Sequence, residues 1–220
     1  MTTLTEPTSK ATAAVSKVDS DAASRSQSGQ RARQPQASNT NANANANANA
    51  LRLDESGLEK AKLNLDRGAV TPAYGAHRLD VIKLLNDALA TELTCVLRYR
   101  RHHFTAVGLA SPAVADEFLV HANEELGHAD RIAKRIVQLG GEPDFNPAGL
   151  LGRSHAEYDD SRDLQAMIKA NLVAERVAVE AYLQMIKLLT DIDPTTRRML
   201  EDILADEEEH ADELSDLLEK

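Results

Sequence analysis

The apolar residues of this chain fall into four long runs that step by three or four positions, and no stretch alternates with the two-residue rhythm of a strand. The first run spans about 76–107, with Ile82, Leu85, Leu89, Val96 and Tyr99 on one stripe. Ser111-Pro112 then offers a helix N-cap followed by a proline in the first turn, and the second run continues to about 139 through Val114, Phe118 and Ile132. Gly140-Gly141 ends it. The next stretch, GEPDFNPAGLLGRSHAEYDDS, is roughly twenty residues long, with two prolines and several glycines, and reads as a crossover. The third run starts near Arg162 and carries Ile168, Leu172, Val179, Tyr182, Ile186 and Leu189. Asp193-Pro194 repeats the cap-then-proline signal, and the fourth run carries Leu200, Ile203, Leu214 and Leu217. Short, long and short connections predict an all-α four-helix bundle, with one long crossover between its second and third helices.

Each stripe is broken near its middle by a residue foreign to an apolar seam. Glu92 interrupts the first, and His121, Glu125 and His128 the second. Glu175 interrupts the third, and Glu207 and His210 the fourth. The neighbours Leu89, Val96, Leu172 and Val179 fix the phase of the two single glutamates, so these groups face the core. A lone carboxylate there costs several kcal/mol. Surface charge pairing along acidic helices is the plainer reading of Glu-x-x-His, but heights argue against it. Glu92 lies 18 residues before Ala110 and His128 lies 18 after it; Glu175 lies 18 before Asp193 and His210 lies 17 after it. At ~1.5 Å per residue each sits roughly 27 Å from its own turn, in helices ~45 Å long whose turns lie at opposite ends. All six therefore meet near mid-height.

Four carboxylates and two imidazoles at one level of a dry core require positive charge among them. Two divalent cations neutralise four glutamates, and oxygen and nitrogen donors without thiolate suit iron or manganese, with zinc also compatible. The i, i+3 spacing in ELGHAD (125–130) and EEEHAD (207–212) lets each motif grip one ion.

Composition sets the rest of the chain apart. Residues 1–75 are rich in Thr, Ser, Ala, Gln and Asn and include NANANANANA (41–50), with no apolar periodicity to offset the entropy of ordering, so a disordered tail is expected. Residues 76–220 form the bundle domain. Through Tyr74 nine Lys/Arg face seven Asp/Glu, a net of +2 in a chain of −10, which leaves −12 for the remainder. So acidic a body attracts cations and disfavours a nucleic-acid groove, and the tail's basic residues are too dilute for DNA contact to be expected. A single cysteine, Cys95, excludes an internal disulfide and reads as a small buried apolar group. MTTLTEPTSK lacks the apolar core of a secretory signal, and no stretch reaches the ~18 apolar residues of a membrane span; a cytoplasmic protein is expected.

The segments LLNDALATELT (84–94), EELGHADRI (124–132), NLVAERVAVEAY (171–182) and ILADEEEHADEL (203–214) together resemble the bacterioferritins of the ferritin-like family over about residues 77–218. The resemblance implies two iron ions per chain, with Glu92 and Glu175 as terminal ligands, Glu125 and Glu207 bridging, and His128 and His210 each completing one ion. It implies a neighbouring tyrosine at Tyr99, and a ferroxidase that oxidises Fe²⁺ with O₂ or H₂O₂ and stores Fe³⁺ inside a homo-oligomeric shell. Haem-binding bacterioferritins carry methionine directly after the first motif glutamate; this chain has Leu126, so no haem is expected. The sequence stops ten residues after His210, without the short fifth helix of 24-subunit shells, which leaves both a 12-subunit assembly like the Dps-like mini-ferritins and a 24-subunit one open.

Other polar residues are expected to play smaller parts. His121 lines or supports the site, Glu180 faces solvent, and Glu124, Glu208 and Glu209 line the solvent side. His77, His102, His103 and His155, at helix ends or in the crossover, carry no assigned chemistry. Two further functions compete: a different di-metal enzyme on the same bundle, either peroxide-consuming, of the rubrerythrin or manganese-catalase type, or a hydroxylase, and a DNA-coating protein acting through its tail. The first shares the same six ligands, though a full rubrerythrin would need a four-cysteine site that this chain lacks.

Overall fold

The structure, a computed structural model, describes residues 51–219; the Asn-Ala run and the other early residues of the expected tail lie outside them. The helices are α1 (Glu55–Ala61), α2 (Arg78–Thr105), α3 (Ser111–Gln138), α4 (Leu150–Arg153), α5 (Leu164–Leu189) and α6 (Pro194–Leu218), and no strand occurs among the described residues. α2 pairs with α3 and α5 with α6, each across a short turn, while the crossover runs along α2. This is the four-helix bundle with one long crossover expected from the stripes.

Helix ends follow the local chemistry. Asp163 caps α5 by accepting from the Ala166 amide (2.9 Å), and Asp193 caps α6 by accepting from the Thr196 amide (3.0 Å), with Pro194 as its first residue. α3 corrects an expectation. Ser111 is its first helical residue and Ala110 occupies the cap, because the Ser111 hydroxyl donates backward to the Gly108 carbonyl (2.7 Å). Just past the end of α3, Gly140 has a φ of 72°, which lets the Gly140 and Gly141 amides donate to the Val137 and Ile136 carbonyls, both at 2.9 Å. A β-carbon on Gly141 would lie 2.8 Å from Ile82, so that glycine also permits the close return of the chain.

Two segments expected to lack structure have some. In the crossover, the chain forms a 3₁₀ turn and α4, and it is pinned to α2 where the His155 amide donates to the Thr91 hydroxyl (2.9 Å) and buried Arg98 donates to the Glu157 carbonyl (3.1 Å). Within 54–75, assigned to the tail by composition, Asp54 caps α1 by accepting from the Ser56 amide (3.0 Å), and helix-forming Glu, Leu, Lys and Ala follow. Tyr74 then anchors this segment: its hydroxyl accepts from Arg135 (3.3 Å). Arg135 is itself buried, and it donates to both Asp193 oxygens (2.9 Å each) and to Thr196 Oγ1 (2.8 Å), joining α3 to the start of α6.

The apolar core has two parts. One gathers Leu85, Leu89, Ile132, Ile136, Leu200 and Ile203, and the other Tyr99, Val114, Phe118, Met167, Ile168 and Leu214. Each fully buried aliphatic side chain contributes roughly 1.5–3 kcal/mol. On every long helix the interrupting glutamates, with His128 and His210, lie between the residues of these two clusters, while His121 sits within the second, between Phe118 and Ala122; the hydrophobic effect thus clamps the bundle on both sides of a polar layer.

Candidate metal centre

Glu92 on α2, Glu125 and His128 on α3, Glu175 on α5, and Glu207 and His210 on α6 are all at most 3% exposed. The structure brings the six together as two overlapping donor sets. Glu92, Glu125, His128 and Glu207 form one, and Glu125, Glu175, Glu207 and His210 the other, with the ligand atoms of each set within 4.8 Å of one another. Glu125 and Glu207 belong to both. His128 Nδ1 points inward, 3.1 Å from Glu207, 3.3 Å from Glu125 and 3.4 Å from Glu92. His210 Nδ1 lies 3.6 Å from Glu125 and 4.0 Å from Glu175.

Among the described residues, the buried side-chain atoms without a hydrogen-bond partner are Glu92 Oε2, Glu125 Oε1, Glu175 Oε2, both Glu207 oxygens and His210 Nδ1. Every one belongs to this cluster. Buried polar atoms are normally paired, so orphans confined to one layer mark a space shaped for a ligand. Acceptors aimed at a common interior from four helices fit divalent cations, which need no donor from the protein.

The electrostatics agree. Burial, and then the charge of Glu125, pushes the Glu92 carboxyl up to about 8. Burial also raises Glu207 well above its ordinary range, with Glu125 and Glu92 adding to it. Burial works against a charged Glu125 too, but the imidazole of His128, hydrogen-bonded to it at 3.3 Å, and that of His210 beside it outweigh burial and hold that carboxyl low. Both imidazoles lose solvation, yet surrounding carboxylates raise His128 far above neutrality and His210 to about 9. Without cations the layer therefore keeps protons that a pair of divalent ions would displace.

Neighbouring groups fix the donors. Tyr99 donates to Glu175 and Tyr182 donates to Glu92, each crossing between α2 and α5. The outward Nε2 of His128 meets Asp206 (3.1 Å) and that of His210 meets Glu124 (3.0 Å), the carboxylate–imidazole arrangement that orients metal-binding histidines. Tyr99 was expected beside the site. The stripe alone marks Tyr182 as core, and nothing in the sequence distinguishes Asp206 from its acidic neighbours. The signal for Tyr182 is a repeated interval, since Glu92–Tyr99 and Glu175–Tyr182 are both seven residues apart. Glu124 is exposed as expected but also supports His210. Glu208 and Glu209 are exposed, as is Glu180, which accepts from Gln184 (2.7 Å). Cys95 is buried and free. His121 lies outside both donor sets, its ring stacked on His210 at 4.1 Å.

Comparison with known proteins identifies the family. The model of the ferritin-like domain family matches residues 82–220. The bacterioferritin of Mycobacterium leprae is 31% identical over 136 residues, covering 61% of this chain and 81% of the relative. That of Desulfovibrio desulfuricans is 29% identical over 135 residues, covering 61% and 72%. Among solved structures, the bacterioferritin-related dodecameric thioferritin of Bacteroides fragilis superposes with a TM-score of 0.62 at 32% identity, over 64% of this chain and 85% of that one. Dps of Thermosynechococcus elongatus superposes with the same score at 19% identity, over 64% and 92%, a likeness of fold. This chain belongs to the ferritin-like domain family, with bacterioferritins among its relatives.

Proposed function

We propose that the protein is a ferroxidase that oxidises and stores iron, binding two Fe²⁺ per chain as substrate in the polar layer. The observation that carries this reading is the set of six orphaned buried atoms, all belonging to two donor sets that share Glu125 and Glu207. Glu92 and His128 hold one ion, Glu175 and His210 the other, and the two shared glutamates bridge them. Tyr182 and Tyr99 hold the terminal carboxylates in place. Each Fe²⁺ gives one electron, and O₂ or H₂O₂ accepts the pair together with protons. Manganese and zinc suit the same donors as competitors. Bound cations neutralise the layer, and the apolar clusters on either side keep bulk water from it.

Storage requires a shell. The relation to bacterioferritins and to a dodecameric neighbour supports a closed homo-oligomer of 12 or 24 chains. So do the exposed apolar side chains Leu79, Leu97, Phe104, Val120, Leu126 and Val137 on α2 and α3. No helix of the described residues is long and apolar enough to cross a membrane, and the reading places the protein in the cytoplasm.

The test combines native mass with iron oxidation. Purified protein should elute at hundreds of kilodaltons, oxidise added Fe²⁺ and retain the product; a monomer or dimer sinks storage. Glu92→Ala and His210→Ala should each slow oxidation strongly while preserving helicity, and unchanged oxidation refutes the centre. Rapid turnover of H₂O₂ without retained iron would instead favour the peroxide-consuming enzyme.

A further inference from the structure

One helical turn before Glu125, His121 is fully buried on α3. Its ring lies 4.1 Å from that of His210 and 20° from parallel, on the side away from His128. Its Nδ1 is 3.2 Å from the Tyr99 hydroxyl. Its Nε2 points the other way, toward two carboxylates: Glu213 Oε2 on α6 at 2.9 Å and Glu117 Oε1 on α3 at 3.5 Å. These three donors lie within 4.8 Å of one another, and neither carboxylate belongs to the six-residue centre.

Donor counting shows what this arrangement lacks. The Tyr99 proton is committed to Glu175, so its oxygen is left to accept from His121. That places the imidazole proton of His121 on Nδ1 and leaves a lone pair on Nε2. The lone pair then faces two carboxylate oxygens, and three acceptors converge with no donor among them. A proton on Nε2 would serve Glu213 at 2.9 Å but not Glu117 at 3.5 Å, beyond the span of a strong charge-assisted bond. A divalent ion serves both. With metal–oxygen and metal–nitrogen distances near ~2.1 Å, donors around one ion stand roughly 3–3.5 Å apart. Exposure is graded too: the His121 side chain is 1% exposed, while those of Glu117 and Glu213 are 37% and 44% exposed. The imidazole belongs to the core and the carboxylates reach solvent.

We propose that Glu117, His121 and Glu213 form a third divalent-cation site. One carboxylate–imidazole–carboxylate set takes a first-row metal ion at the solvent edge, next to the half of the centre that holds His210. Three protein donors leave open positions for water, so the ion is held loosely and exchanges. Its role as a station for Fe²⁺ between solvent and the Glu175–His210 position rests on the ferroxidase reading; its occupancy does not.

The test uses the full chain, stripped of metal, with Co²⁺ as probe, and counts bound ions by equilibrium dialysis while following the visible cobalt spectrum. Wild type should bind one Co²⁺ per chain more than the double variant Glu117→Gln/Glu213→Gln, as its weakest class. Both substituted side chains are partly exposed, and circular dichroism checks that the variant folds. Equal stoichiometry in the two proteins overturns the site and leaves His121–Glu213 as a plain ion pair. A second variant, Glu92→Gln/Glu207→Gln, separates the two readings. If it keeps one Co²⁺ that is lost when Glu117→Gln/Glu213→Gln is added, the third site stands whatever the fate of the six-residue centre. If it binds none, an independent site is refuted. With Fe²⁺, the Glu117→Gln/Glu213→Gln protein should need a several-fold higher concentration for half-maximal oxidation; an unchanged concentration overturns the station role.

Discussion

The polar layer should make the metal-free protein less stable than a version with one carboxylate neutralised, and Glu92→Gln measures by how much. Glu92 is 1% exposed, and burial and the neighbouring Glu125 carry its carboxyl from 4.5 to about 8. At pH 7 the unfolded chain ionises this residue and the folded chain keeps it protonated. That mismatch of roughly 2.5 pH units, at 1.36 kcal/mol each, costs about 3 kcal/mol. The sign follows from the raised folded value: the contribution of Glu92 is full below about 4.5 and is lost as pH rises toward about 8. Glutamine cannot ionise in either state, and its carbonyl still accepts from Tyr182. Metal-stripped Glu92→Gln should therefore exceed metal-stripped wild type by about 3 kcal/mol at pH 7, or roughly 10 °C in Tm for a domain of this size. The gap should shrink toward zero as pH approaches about 5. Saturating divalent cations should reverse the order, because the amide is a poor ligand and wild type gains the binding free energy. Melts followed by circular dichroism across this pH range supply the measurement. A variant no more stable than wild type, or a gap that does not change with pH, would show that the carboxyl is hydrated and the dry layer misread.

Loading the metal-stripped centre at neutral pH should release protons from Glu92, Glu207, His128 and His210, all raised by their surroundings. Titration calorimetry in buffers of different ionisation enthalpy reads this directly, and a heat independent of buffer contradicts it. Asp206→Asn and Glu124→Gln each release one histidine from its outer partner and should weaken divalent-cation binding about 10–100-fold, against unchanged affinity if those contacts are incidental. Arg135→Ala strands the Asp193 carboxylate in the core and should cost about 3–5 kcal/mol in denaturant unfolding. Burial opposes a charged Asp193, but hydrogen bonds from Thr196 and Arg135 prevail and hold its carboxyl below 3.8. Its stabilisation is present above about 3.8 and fades as pH falls through the lower folded value, so the penalty of Arg135→Ala should shrink in acid.

The bundle and the six convergent residues were legible because they share one signal. An apolar seam fixes the phase of a helix, and a carboxylate on that seam stands out wherever leucine is expected, as Glu92 does between Leu89 and Val96. Tyr182 gave no such contrast, since a tyrosine on a seam is ordinary core until the opposite carboxylate is placed beneath its hydroxyl. Asp206 and Glu124 look like solvent-facing charge on acidic helices, and their contacts to the outer nitrogens of His128 and His210 come from other helices. Buried Arg98 illustrates the same limit, because its guanidinium meets Asn171 at 2.7 Å across 73 positions of sequence. Ser111 failed for a local reason: a hydroxyl at a helix start can turn back to the preceding loop as readily as it caps forward.

The reciprocal tyrosine contacts between α2 and α5 carry a wider meaning. Each hairpin of the bundle supplies the same kit: a glutamate, a tyrosine seven residues on, a tight turn and a Glu-x-x-His, with 36 residues from Glu92 to His128 and 35 from Glu175 to His210. A chain half this long, associating with its own duplicate, would carry the same set of six donor residues.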